Sequence, residues 1–320
     1  MVLRPSTLHD LIQSVQSACT QGRRIDAVDL TPLPRVLEYT PEDMTVTVET
    51  GITLAALQRH LAPQRQWLPL DPPHPESLTL HELLTSNVSG PRRFGFGTAR
   101  DHLLGLQVVL ADGRVVRNGG KVVKNVAGYD LCKLFVGAQG TLGVIVEATF
   151  KVRPLPEREA FLTAQCPSVS DAAALLETVI ESALTPVVLD LHNLSASHVA
   201  GHKGPAFHLV LGFAGTREEV EWQVAQASAF DINEVAGHDY ETLFWAPGLE
   251  PAPHRRSVLP SRVLETVQEL AGLPLVARAG NGVIYYRGGP VPPPSAVPLS
   301  LSRRIKEAYD PKGVFPDLPL

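Results

Sequence analysis

A chain of 320 residues that is 44% hydrophobic and 19% charged is long enough for two domains with separate cores and has the composition of a globular protein. Its formal net charge of -5 excludes general nucleic-acid binding, which depends on concentrated Lys and Arg, and no apolar run approaches the roughly 20 residues that span a bilayer. The opening MVLRPSTLHDL lacks the apolar core of a signal peptide, which points to the cytoplasm. Leu8, Leu11, Ile12 and Val15 recur at helical spacing behind Ser6 and Thr7, either able to cap the first turn, and Gly22 stops the helix. Residues 44–49 alternate as a half-buried strand, and after Gly51 a short helix opens at Thr53 and runs to about Leu61. Three prolines make 67–73 a rigid extended segment. Residues 106–116 predict a hairpin turning at Asp112-Gly113. Residues 144–152 predict a strand with Val144, Val146, Ala148, Phe150 and Val152 on one face, and Glu147, Thr149 and Lys151 on the other.

Residues 154–158 read as a linker, after which the grammar changes. A strand at 161–166, a helix at 170–183, strands at 187–191 and 207–213 and a helix at 216–229 alternate in an α+β pattern. A turn-rich VPPPS segment precedes a final helix at about 301–309. Cys19, Cys132 and Cys166 are odd in number and widely spaced, so they build neither a disulfide framework nor a four-cysteine metal or iron–sulfur site; they read as buried or incidental thiols. No internal repeat is present.

Gly137-Ala-Gln-Gly140-Thr-Leu-Gly143 leads into a strand. A dinucleotide fingerprint instead needs G-x-G-x-x-G between a strand and a helix, so a Rossmann phosphate cradle is excluded and the glycines read as a turn. Their setting adds more. RVLEYTPEDMTVTVETGITLAALQRHL, WLPLDPP, SNVSGPRRFGFGTARD, LLGLQVVLADGRVVR and KNVAGYDLCKLFVGAQGTLGVIVEATFKVRPLP follow in a fixed order, and AYDPKGVFPDL closes the chain. Together they resemble the FAD-binding domain of the vanillyl-alcohol oxidase/PCMH superfamily, most closely its glycolate oxidase E-subunit branch.

The resemblance implies an α+β chain: a two-subdomain PCMH-type FAD-binding domain over 1–156 (first subdomain 1–50, second 51–156), then an α+β, ferredoxin-like cap over 157–320 that includes the helix at 301–309. It implies FAD as cofactor, with cofactor-binding positions at Asp71, Pro72, Thr79, Asn87, Ser89, Gly90, Gly97, Asp101, Gly137, Gly140, Val144 and Ile145. Glycine permits the close backbone approach such a ligand needs. It further implies an accessory role in a 2-hydroxy-acid dehydrogenase of glycolate oxidase type, beside a catalytic FAD subunit and an iron–sulfur subunit. The alternatives are an autonomous FAD-dependent 2-hydroxy-acid oxidoreductase and a non-catalytic pseudoenzyme. No catalytic residue and no metal ligand set is assigned.

Three departures qualify the resemblance. Gly22-Arg-Arg-Ile-Asp-Ala-Val-Asp-Leu30 passes directly to the segment that in the family follows a G-G-G-T-like loop, so the pyrophosphate nest is missing. At Leu78-Thr-Leu-His-Glu-Leu-Leu84, His81 and Glu82 stand where the family carries a glycine pair. At Arg278-Ala-Gly-Asn-Gly-Val-Ile-Tyr285, Arg278 and Tyr285 replace the histidines of catalytic relatives. FAD affinity is therefore expected to be weakened or lost, and the isolated chain is not expected to oxidise glycolate. Arg23 and Arg24 are candidate replacements for the nest, although cations also suit a helix end. Arg92 and Arg93 read as structural or partner-facing, Lys121 and Lys124 as solvated, and His198/His202 as a polar loop pair.

Overall fold

The computed structural model describes residues 1–120, 131–194, 207–235, 239–292 and 299–317. These fall into two compact units, the first from Met1–Ser89, Gly97–Leu155 and Pro294–Leu320, the second from Gly90–Phe96 and Pro156–Pro293. The predicted positions Lys121, Lys124, His198 and His202, and most of the VPPPS segment, lie outside the described residues.

In the first unit the helix Leu8–Gln21 starts at Thr7, whose side chain accepts the Asp10 amide, and ends at Gly22 with φ 62°. It lies in sequence between two short strands, Val2–Leu3 and Ala27–Val28, which pair in parallel. A five-stranded antiparallel sheet follows in the order Val36–Thr40, Thr45–Glu49, Val144–Lys151, Leu103–Val109 and Val115–Gly119. Its predicted hairpin turns at Asp112, whose carboxylate accepts the Arg114 amide at 2.9 Å, and at Gly113, with φ 80°. The helices Leu54–Leu61 and Leu80–Ser86 bury Leu57, Leu61, Leu83 and Leu84 against Val46, Val48, Ala148 and Phe150 of the sheet.

The single apolar face predicted for 144–152 is not what forms. Gln107 pairs with Glu147 but Val108 pairs with Ile145, so Val146 is skipped. Because side chains alternate with a period of two, a one-residue bulge inverts the pattern beyond it. Val144 and Val146 therefore join the cluster of Leu11 and Val15 from the first helix. Ala148, Phe150 and Val152 join Ile145 in the other cluster.

The sequence reading groups 301–309 with the second domain, whereas the helix Leu299–Tyr309 packs Ile305 and Tyr309 against the first unit's core. Lys306 Nζ donates to the Thr141 carbonyl at 2.8 Å and to Asp310 at 2.6 Å, and Asp310 accepts the amides of Val314 and Phe315, each at 2.8 Å. That network fixes the closing segment of the chain to the first unit.

The second unit is a seven-stranded antiparallel sheet in the order Asn233–Val235, Arg158–Cys166, Phe207–Gly215, Val188–His192, Leu275–Arg278, Val283–Arg287 and Pro253–Ser257. The helices Val169–Glu181, Arg217–Ser228 and Val263–Glu269 share one cluster with Leu162, Leu209, Leu211, Leu275 and Ile284 of the sheet. Ser168 with Asp171 and Thr216 with Glu219 form capping boxes at the first two helices. The opposite face, with Val210, Val276, Val283 and Tyr285, receives Tyr240 and Phe244 from the short helix Asp239–Phe244. Antiparallel sheets with helices make this the α+β chain expected.

Candidate cofactor site

The glycine-rich turn is built around the helix Leu80–Ser86. Thr79 caps it, accepting the Glu82 amide at 3.2 Å while Glu82 Oε2 accepts the Thr79 amide at 2.9 Å and its hydroxyl at 2.8 Å. Asn87 ends it with φ 51°. Gly137, with φ 80°, donates its amide to the Leu84 carbonyl at 2.9 Å, and Gln139 donates to the Thr85 carbonyl at 2.9 Å. The turn thus satisfies carbonyls that the helix end leaves open. Gly143 is required for a different reason: a Cβ there would lie 2.6 Å from Val108 Cγ1 and 2.9 Å from the Val109 carbonyl oxygen. At Gly140, with φ 70°, a Cβ would meet nothing within 4 Å.

The residues proposed from the resemblance occupy several places. Thr79, Asn87 and Gly137 lie at the two ends of this helix, and Val144 and Ile145 begin the adjacent strand. The Ile145 carbonyl accepts Thr50 Oγ1 at 2.6 Å and faces His81 Nδ1 at 3.0 Å. Asp71 and Pro72 stand in the extended proline segment, Pro72 buried and Asp71 half-buried. Ser89 is buried, and Gly90 belongs to the second unit. Gly97, with φ 85°, and Asp101 make a separate turn, in which Asp101 Oδ2 accepts the Thr98 amide at 2.7 Å and its hydroxyl at 3.0 Å. Burial opposes ionisation of Asp101, but those two donors hold its carboxyl below the ordinary range.

Only Gly140 and Val144 of the proposed residues line a cavity of about 230 Å³ that is otherwise walled by Ile25, Asp26, Ala27, Val28, His81, Glu82, Thr85, Gln139, Gly143, Phe315 and Pro316. The fold thus brings Ile25–Val28 and the His81-Glu82 pair, which are far apart in sequence, to one place beside the glycine turn. The cavity is smaller than the roughly 300–1,000 Å³ of ordinary ligand pockets. Four of the backbone donors on its wall are engaged: Ile25 donates to Val314 O at 2.7 Å, Asp26 to Met1 O at 2.9 Å, His81 to Thr50 O at 2.8 Å and Gln139 to Thr85 O at 2.9 Å. Burial pushes the His81 imidazole below its usual range, against the pull of the Ile145 carbonyl and of Glu82. In the neutral ring Nδ1–H donates to that carbonyl, which leaves Nε2 an acceptor. Among the described residues no Lys or Arg lines the cavity, whereas Asp26 and Glu82 do. Arg24 pairs with Asp26 at 3.6 Å and with Asp317 at 2.5 Å, and Arg23 lines a shallow depression against the first helix instead. These residues do not fit a pyrophosphate: it needs free N–H donors or cations, and they present carboxylates.

The third departure is resolved in the second unit. Arg278 is 1% exposed. Its guanidinium donates to Asp190 and, through two nitrogens at 2.8 Å each, to both oxygens of Glu241. Tyr240 donates to Asp190 at 2.6 Å and stacks on His192, 4.5 Å between centroids. Burial, with the Glu241 charge added and Arg278 opposing, pushes Asp190 up to about 7. The direction follows from charge balance, since one guanidinium faces two carboxylates. Burial, then the neighbouring His208, pushes His192 down to about 3. Arg278 is thus engaged internally. Sequence reasoning named Arg278 but missed Asp190, Tyr240 and Glu241; the alternation of 188–192 offered only a strand, not a buried charge. Arg92, read as structural or partner-facing, is bidentate to Glu159 at 3.0 Å within the same unit.

Comparison with known proteins places this geometry. The family described as FAD binding domain matches residues 6–119. The chain is 36% identical over 156 residues to glycolate oxidase subunit GlcD of Bacillus subtilis, covering 49% of this chain and 33% of that protein. It is 36% identical over 149 residues to glycolate oxidase subunit GlcE of Escherichia coli, covering 46% of this chain and 43% of that protein. The matched part therefore spans less than half the length of either relative. A solved structure of alkyldihydroxyacetonephosphate synthase superposes on 98% of this chain and 76% of its own with a TM-score of 0.73 at 18% identity, a likeness of fold. Residues 6–119 thus match the FAD binding domain family, in a chain similar over about half its length to subunits of glycolate oxidase.

Proposed function

We propose that this chain is an accessory subunit of a 2-hydroxy-acid dehydrogenase of glycolate oxidase type, a flavin-domain scaffold whose own hold on FAD is weakened or lost. It works beside a catalytic FAD subunit and an iron–sulfur subunit. The observation that carries this reading is the convergence of Ile25–Val28 and His81-Glu82 on one small cavity whose lining, among the described residues, holds carboxylates and no cation. The engagement of Arg278 by Asp190 and Glu241 supports it, because a 2-hydroxy acid needs a free cation or metal to hold its carboxylate.

A second reading, an FAD-holding oxidoreductase that acts alone, is favoured by one feature. Asn87 Oδ1 is buried with no hydrogen-bond partner among the described residues, beside Gly137, and an N–H of a bound ring would satisfy it. On that reading Pro72 and Ser89 would border the same ring.

The visible absorbance spectrum of the chain purified without added cofactor, followed by glycolate turnover with an artificial acceptor, separates the two. The accessory reading expects flavin far below one per chain and no turnover until the companion subunits are added. Near-stoichiometric flavin with turnover by the chain alone would overturn it in favour of the second.

A further inference from the structure

We infer that Asp26 and Glu82 make the first-unit cavity select against phosphate, so that charge, more than shape, separates this chain from a flavin dinucleotide. The inference rests on the reading above, that the cavity lies where the dinucleotide's phosphates would run. Three observations carry it. Four backbone amides of the two converging segments are already engaged: Ile25, Asp26 and His81 donate to main-chain carbonyls, and Glu82 donates to Thr79 Oγ1. Two nearby cations are already taken up: the Met1 ammonium pairs with Asp26, and Arg24 is held between Asp26 and Asp317. Asp26 and Glu82 are both exposed and both stand on the cavity wall.

A carboxylate facing a dianion through water lowers its affinity by about five- to tenfold at low salt, and more where low-dielectric walls focus the field. Asp26 acts twice, since it also keeps Arg24 turned to itself. The ligand class this cavity tolerates is accordingly uncharged or cationic.

The test is a fluorescence titration of the full chain with FAD and, in parallel, with riboflavin, which carries no phosphate, at about 20 mM and about 300 mM salt. For FAD the affinity is expected to rise with salt as repulsion is screened, the reverse of a cationic cradle, while riboflavin is expected to be indifferent to salt. The double variant Asp26→Asn/Glu82→Gln is expected to bind FAD about tenfold tighter or better and riboflavin as before. Gln at position 82 keeps the capping box with Thr79, so the variant is expected to fold, as a matching thermal melt would show. FAD affinity that falls with salt in the native chain, or a double variant that gains nothing, overturns the inference. Where the native chain shows no measurable FAD binding, its appearance in the double variant supports the inference and its absence there overturns it. Failure of the accessory reading shows separately, as flavin and turnover in the native chain.

Discussion

Around the cavity of the first unit the charges remain in water, with Asp26 and Glu82 both exposed, whereas on the sheet of the second unit Arg278 and Asp190 are each 1% exposed and closed against one another. Both places stand where the chain departs from its family's pattern. In the first, the charged side chains border an open space; in the second, they fill the space between them. An exposed charge acts over distance on whatever enters and contributes little to folding. A buried charge acts on its immediate partners, and removing one of them leaves the others unsolvated. The first unit is therefore tuned at its cavity without risk to its core, while the second has its sheet chemistry tied to its stability.

The largest expected effect would break the second half of this comparison. Arg278→Met leaves Asp190 and Glu241 facing each other without a cation, and urea unfolding followed by Trp245 fluorescence should show a loss of about 3–5 kcal/mol. Trp245 reports on this site because its Nε1 donates to Glu241 at 3.2 Å. A variant as stable as the native chain would mean that the network adds nothing to the fold.

A smaller effect compares like with like. Gly140 and Gly282 have nearly the same backbone, φ 70° and 71°, but a Cβ at Gly282 would lie 2.1 Å from the Val258 carbonyl oxygen while one at Gly140 meets open space. Gly140→Ala should cost about 1 kcal/mol, the strain of the left-handed region alone. Gly282→Ala should cost about 1–3 kcal/mol more from crowding. Equal losses in denaturant melts would mean that the cavity beside Gly140 is not open.

The smallest effect concerns protons. Asp190 is raised to about 7 from an ordinary value of 3.8, so its contribution to stability is complete below about 3.8 and is lost as pH rises through about 7. His192, lowered to about 3, works in the other direction, its contribution being lost as pH falls below its ordinary range. The readable quantity is the difference between the native chain and Asp190→Asn. The native advantage should shrink between pH 5 and 8 by on the order of 1 kcal/mol, and a difference that grows over that interval would show Asp190 ionised against Arg278 throughout. In the first unit Glu49 is held low by Arg35 despite its burial, so its contribution is lost as pH falls, the opposite of the response of Asp190.

Much of the fold was legible because its signals are local. Thr7, Thr53 and Thr216 cap helices where they stand in sequence, and Asp112-Gly113 turns the hairpin, whereas the helix Leu80–Ser86 behind Thr79 was not read. The bulge at Val146 was not legible, since an extra residue in a uniformly apolar strand leaves no mark on its pattern. Nor was the attachment of the final helix to the first unit, which depends on Lys306 meeting a carbonyl at Thr141. For the site, the glycines could be read as a turn and His81-Glu82 as a departure. That Ile25–Val28 would stand beside them is a tertiary fact with no periodicity to betray it. The fate of Arg278 was hidden for the same reason, because Glu241 reaches it from a helix 37 positions away.

The skipped Val146 has a consequence for how the first unit melts. Through it a single strand faces the first helix with Val144 and Val146 and the other cluster with Ile145, Ala148 and Phe150. The strand is thus a wall common to two rooms. Neither cluster can come apart without exposing part of the same backbone, so the two are bound into one cooperative transition, and what enters the cavity at Val144 is felt by both.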